Sequence, residues 1–427
     1  MRHRPCRKKV KSRACAVAFR IVRIAKACSV GVIVGFSSHA FALNNDTVLL
    51  RAYGGATYNS NVLGISNELS PAQAQQLLGG RSEGAWIWDY GAGLRCDLPV
   101  SRQRFQLDLS ATRYDYSQYN ELNYTGYTAR GIWDWRAGND WWGQINAGAT
   151  QTRQTYQSGI VLNIPALVRT YDELVDAHYA LSPRWEVSGS LSATQSLYSS
   201  SVLESGDINV TDESVGVMYR TPLGNGTGLR VTFEQGEWPN QPPLGTPGAS
   251  GPVQLDNSYS QITLAVVLDW QLTGRSHLSG NLGYTARTQL AIGRSDVAEG
   301  PSGTLTYNYS LSGKSQLQAN LYQTFGPFPD PTASYVKTTG LDLIYKYQAT
   351  AKISVQASLT GQRIDYLGVP DAPQRKDNYG IVGLTAKYQA SRTLMFSAGA
   401  QYQNRDSNIP LAGYDVYTVY LNATLEF

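Results

Sequence analysis

Only two histidines lie beyond residue 42, His178 and His277, and they limit the chemistry open to this chain. Asp176 stands two residues before His178, so on a strand the two side chains share a face. A hydrolase of the serine type needs a hydroxyl activated by an imidazole that an acid or amide orients. Both histidines sit beside short turns, away from the rim where an acyl-chain hydrolase would meet its lipid. The pairing of Asp176 with His178 is therefore read as a hydrogen bond inside the fold, and no catalytic residue is assigned. Of the four cysteines, Cys6, Cys15 and Cys28 fall in the first 42 residues, leaving Cys96. One thiol makes neither an internal disulfide nor a thiolate metal site. No metal site, no cofactor and no phosphate-binding glycine loop is expected, and the chain reads as a non-enzyme.

The elements that would position these residues are strands of period two. In the stretch 414–427, Tyr417, Val419, Leu421, Ala423, Leu425 and Phe427 alternate with Thr418, Tyr420, Asn422, Thr424 and Glu426. Such alternation gives one apolar and one polar face. The sequence closes on an aromatic residue without a polar tail, as the final strand of an outer-membrane barrel does. Phe427, Leu425 and Tyr417 are accordingly the expected assembly signal, read by the barrel-assembly machinery. The rule repeats along the chain: Trp86, Trp88, Tyr90, Ala92 and Leu94 against Asp89, Arg95 and Asp97, or Ile262, Leu264, Val266, Leu268 and Trp270 on one face of a later segment. Cys96 falls on the apolar face.

Short turns are expected near 99–102, 137–140, 181–184, 222–227, 272–275, 312–314, 350–351 and 390–392, with longer loops between them. Most prolines are placed in those loops, the richest being 239–252, because proline cannot donate to a strand ladder. Residues 61–84 form a long connection in which Ser70 and Pro71 open a short helix that Gly79 and Gly80 close. The count is eighteen strands, or sixteen if neighbours merge. The expected fold is all-β, a transmembrane antiparallel up-and-down barrel with short periplasmic turns and longer extracellular loops. No stretch beyond residue 42 approaches the eighteen apolar residues of a membrane-spanning helix.

Residues 1–42 hold ten Lys or Arg and no acid, then a short apolar run, then Ala40-Phe41-Ala42. These are the parts of a secretory signal with cleavage after Ala42, leaving 43–427 as the barrel. The remainder carries 26 basic and 32 acidic residues, so the overall charge of +4 gives no support to nucleic-acid binding. Outer-membrane lipid and lipopolysaccharide are the expected surroundings.

Polar positions that alternate with the apolar stripe should line the lumen. They include Arg51, Tyr53, Asp89, Arg95, Asp97, Asp108, Tyr114, Arg130, Asp134, Tyr322, Asp342 and Lys346, with Glu234, Asp269 and Lys387 in the same class. Their mixed signs argue against a strongly ion-selective pore. The lumen tyrosines either bond across the wall or stack on sugar rings, the first being favoured for any single one.

Tyr58-Asn59-Ser60-Asn61-Val62, Arg102-Gln103-Arg104-Phe105, and the run Tyr124-Thr125-Gly126-Tyr127, Trp133-Asp134-Trp135 and Asp140-Trp141-Trp142-Gly143 resemble the EpsL-type outer-membrane proteins of exopolysaccharide operons, among the BBP2-like β-barrel porins. The likeness is strongest over about 47–155, and Asn59 stands where the family pattern leads one to expect Asp. The resemblance implies a barrel that takes part in exopolysaccharide export or passage, with exopolysaccharide and other export-complex proteins as partners. A non-conducting assembly component of such a complex is the alternative.

Overall fold

A computed structural model describes residues 47–154, 166–201, 203–240, 258–289, 297–330, 333–368 and 374–427. The expected signal at 1–42 and nearly all of the 239–252 loop lie outside the described residues. The strands are β1 (Val48–Asn59), β2 (Ala85–Val100), β3 (Gln103–Tyr116), β4 (Tyr124–Ala137), β5 (Trp141–Arg153), β6 (Leu167–Ala180), β7 (Trp185–Tyr198), β8 (Ile208–Arg220) and β9 (Gly226–Glu237). They continue as β10 (Ser258–Thr273), β11 (Ser276–Gln289), β12 (Val297–Ser312), β13 (Ser315–Asp330), β14 (Ala333–Gln348), β15 (Ile353–Leu367), β16 (Lys376–Gln389), β17 (Leu394–Ser407) and β18 (Tyr414–Glu426). All pair antiparallel with their neighbours in sequence, and β1 also pairs with β18, so the sheet is closed. The count is eighteen. Closure removes every sheet edge, which is what lets a backbone cross hydrocarbon without unpaired N–H and C=O groups.

Alternation decides which way each side chain points. The outer face is a band of exposed apolar residues, with Leu264 at 56%, Val382 at 54% and Leu421 at 58% exposure. In water such a surface would aggregate; in lipid it is the solvated face. Aromatic pairs flank the band. Trp141 with Tyr179 (4.6 Å) and Trp185 with Tyr219 (5.1 Å) mark the short-turn end, and Trp86 with Trp88 and Tyr402 with Tyr417 the loop end. Strands of 12 to 16 residues exceed the roughly 9–11 a tilted strand needs to cross, so their loop ends project.

All eight expected short turns are present. One of the two-residue turns is Ser101-Arg102, where Ser101 takes φ 57° and β2 runs on through Pro99 to Val100 rather than ending before it. Pro301, Pro327 and Pro329 also lie inside strands and not in loops. The pairing of β13 with β12 reaches only Gly303–Gln323, so Pro327 and Pro329 stand where the strand has a partner on one side alone. A missing donor costs nothing there.

Inside, several lumen tyrosines lie flat over a glycine of the adjoining strand. A Cβ on Gly91 would fall 2.8 Å from the Tyr53 ring, and one on Gly340 2.4 Å from that of Tyr322. Flat rings keep to the barrel wall.

Candidate functional site: the lumen and its mouth

The loop end of the lumen is built from the 60–84 connection. Its helix, α1 (Pro71–Leu77), is capped by Ser70, whose hydroxyl accepts from the Gln73 amide while the Gln73 side chain returns to the Ser70 backbone. Pro71 has no N–H to satisfy at that first turn. Gly79 and Gly80 end the helix at φ 62° and 83°. The start at Ser70 and Pro71 and the stop at Gly79 and Gly80 were legible in the sequence. The docking was not: Val62, Leu63, Ile65, Ala74 and Leu78 form one buried cluster with Tyr116, Tyr119 and Leu122. Ile87, Tyr114 and Tyr124 pack against it, and these occupy lumen-facing positions of β2, β3 and β4. The connection therefore folds inward and sits inside the mouth.

Polar contacts extend its hold along the rim. Asn61 bonds the carbonyl of Asp415, and Asn67 its carboxylate, beside the start of β18. At the other side Arg153, atop β5, donates to the carbonyl of Val62 and stacks on Tyr116. Arg81 pairs with Glu121 at 2.5 Å and lies over the Tyr119 ring. Two more clusters line the mouth. Arg405 and Arg375 both reach Asp377 Oδ2 at 2.8 Å, and Tyr366 donates to the same oxygen. Arg287 lies 3.4 Å over the Tyr259 ring, whose hydroxyl donates to Glu234.

Below the mouth, the residues expected to line the lumen meet one another or neutral polar neighbours. Arg51 binds Asp108 at 2.5 Å, and Arg95 and Arg130 stand in register with Asp108 on either side. Arg130 donates to Asn146, Asp134 accepts from Gln144, and Asp97 is held by both arms of Arg104. Asp342 accepts from Thr360, and Tyr322 donates to Gln362. Lys346 borders a separate recess with Asn308, Gln316 and Gln318. Tyr53 bonds Thr112 at 2.8 Å, and Tyr114 stacks on Tyr124. Asp89 and Tyr114 open onto a larger recess of about 430 Å³, shared with Thr57, Thr385, Lys387, Ser397, Tyr420 and Asn422. Here the Tyr420 hydroxyl meets Thr385 at 2.7 Å, and the Asn422 side-chain oxygen is buried with no hydrogen-bond partner.

At the short-turn end both histidines join one chain of charges. His178 lies between Asp176 (2.9 Å) and Glu186 (2.6 Å), Arg220 links Glu186 to Asp269, and Asp269 meets His277 at 2.8 Å. Ser188 faces His178 across the β6–β7 ladder, which on paper completes a serine–histidine–acid set. Both ring nitrogens of His178 are already held by carboxylates, so neither can take a proton from that hydroxyl. Among the described residues no group of three or more His, Cys, Asp or Glu is placed to hold a metal. Replacing Arg220 with Gln should shift the reversal potential in a salt gradient toward cations, because Asp176, Glu186 and Asp269 then have no guanidinium among them; an unmoved potential would mean ions bypass this ring.

A closed strand cylinder, apolar outside and polar within, cannot be stable free in water and is stable in a bilayer. The protein is a transmembrane β-barrel of eighteen antiparallel strands. No known family model and no curated protein matches the chain. Among solved structures it is similar to the outer membrane protein opdK of Pseudomonas aeruginosa at 9% identity and a TM-score of 0.47, covering 90% of this chain and 99% of that one. OccK9 (OpdG) of the same organism gives 11% and 0.47, with 89% and 98% covered. A BenF-like porin from Pseudomonas fluorescens gives 9% and 0.46, again with 89% and 98% covered.

Proposed function

We propose that this barrel passes saccharide across the outer membrane, as a conduit in exopolysaccharide export or for saccharides more generally. The observation that carries the reading is the mid-lumen recess. Tyr420 and Tyr114 offer aromatic surface, and Thr57, Thr385 and Ser397 offer hydroxyls. A sugar supplies apolar C–H faces for the rings and hydroxyl partners for the Thr and Ser side chains. One Asp and one Lys leave the recess nearly neutral, which disfavours a strongly charged small solute. The resemblance of the sequence to EpsL-type proteins adds the exopolysaccharide setting, with other export-complex proteins as partners.

The alternative is a non-conducting assembly component of an exopolysaccharide secretion complex, and the inward-docked 60–84 connection favours it. Single-channel recording in a planar bilayer separates the two. In the conduit reading, steady current is interrupted by neutral oligosaccharide. The double variant Tyr420→Ala/Ser397→Ala then weakens the block roughly ten- to seventyfold, the sum of roughly 0.5–1.5 kcal/mol for a stacking face and about 1 for a hydrogen bond. A barrel that carries no current, both intact and with its mouth opened, would establish the scaffold instead.

A further inference from the structure

The outer face of β14, β15 and β16 changes character toward the loop end. Its outward positions are apolar through Leu341, Leu343, Leu359, Val382 and Leu384, then become Lys337, Arg363, Asp365 and Lys376. Asp365 stands in register between Lys337 on β14 and Lys376 on β16. Its carboxylate lies 3.6 Å from Lys337 Nζ and 3.0 Å from Arg363 Nε. The acid is nearly buried at 8% exposure, while the Arg363 side chain is 53% exposed. Three cations thus surround one acid, which fixes two of them in place and leaves a net charge of +2.

Their height is set by the strand. Ten residues separate Lys337 from Tyr347, whose ring belongs to the aromatic belt at the short-turn end. At about 3.3 Å per residue and a tilt of about 40°, that is roughly 25 Å, the thickness of the apolar band. The cations therefore stand level with the headgroups of the outer leaflet. Around the rest of this rim the described outward charges are different. Arg113 is neutralised by Asp115, Arg169 bonds Gln151, and Glu237, Glu299, Asp406 and Asp415 are acidic. A merely solvated rim would have no reason to gather its surplus of cations on one arc.

We propose that this arc binds the phosphorylated headgroup of an outer-leaflet lipid. Arg363 offers a planar fork of donors and the two lysines add point charges, the combination that suits a phosphate at a membrane surface. The site is independent of what passes through the lumen. The test is native mass spectrometry of the detergent-solubilised full-length barrel, with diphosphorylated lipid A and with the same lipid after removal of its phosphates. The wild type should retain the phosphorylated lipid preferentially. The triple variant Lys337→Gln/Arg363→Gln/Lys376→Gln should retain it about a hundredfold less well. Lys337→Arg/Lys376→Arg should bind as the wild type does, and heat-modifiable migration confirms that each variant is folded. Equal retention of the two lipids, an unaffected triple variant, or an equal loss in Arg113→Gln/Arg169→Gln would overturn the proposal. So would displacement of the lipid by millimolar inorganic phosphate, which would indicate a site for the free ion.

Discussion

Aspartate in place of Leu122, or of Leu78, should release the mouth insert and raise the single-channel conductance of the barrel. Leu122 is fully buried and Leu78 is 2% exposed, both in the cluster that holds the 60–84 connection against the wall. Removing either leucine forfeits roughly 1.5–3 kcal/mol of apolar burial, and an ionised carboxylate there costs several kcal/mol more. The remaining anchors at Asn61, Asn67, Glu68, Arg81, Ser82 and Arg153 are polar contacts near the rim, each contributing about 0.5–1.5 kcal/mol. They hold the insert by its edges and do not restore its apolar packing. The barrel wall should persist, because its ladders close through β1 and β18 without using the insert. Heat-modifiable migration should therefore match the wild type while the current through each open channel rises, roughly doubling if the insert spans about half of the mouth's area. Proteolysis between residues 66 and 84 should accelerate in parallel. Faster cleavage with unchanged current would mean that the insert coats the wall without limiting flow.

The strands, their number and the direction of nearly every side chain were legible because a period of two is a local property. Arg51, Asp108 and Arg130 could be placed in the lumen from alternation alone. That Arg51 reaches Asp108 across the whole width of β2 could not, since it depends on register set by closure. The same limit hid the chain from His178 through Glu186 and Arg220 to Asp269, in which only the Asp176–His178 step is local. The helix of the mouth insert was visible in Ser70, Pro71 and the glycine pair, yet its inward fold rests on Leu122 and Tyr119 from another loop. Prolines misled at Pro301, Pro327 and Pro329. Their local meaning is loop, and only the absence of a second neighbour beyond Gly303–Gln323 makes the last two harmless in a strand. Alternation carries Lys337, Arg363 and Lys376 onto the outer face, but their meeting around Asp365 depends on the register of β14, β15 and β16.

Deleting Phe427 should lower the folded outer-membrane population of the protein, and the reason is visible at the seam. The Phe427 N–H donates to the Leu50 carbonyl at 2.9 Å, and the Leu50 N–H returns to the Phe427 carbonyl at 3.1 Å. This pair continues the β1–β18 ladder past Arg51–Glu426, where the first strand must find the last. Tyr417, Leu425 and Phe427 all point outward and are exposed, at 58%, 39% and 64%. Losing two net hydrogen bonds costs about 1–3 kcal/mol. A β18 that slips by two residues keeps the same faces, so the pair at Phe427 also helps to exclude that register. Phe427→Leu separates this contribution from recognition by the barrel-assembly machinery. It keeps the backbone pair and an apolar side chain, so refolding into vesicles should proceed nearly as in the wild type. In cells, a yield as low as that of the deletion would mean that the aromatic ring itself is recognised. A normal yield would place the whole effect in closure of the seam. Equal folded amounts in the deletion and the wild type, in both settings, would show that the ladder from Arg51 to Asn59 suffices to close the barrel.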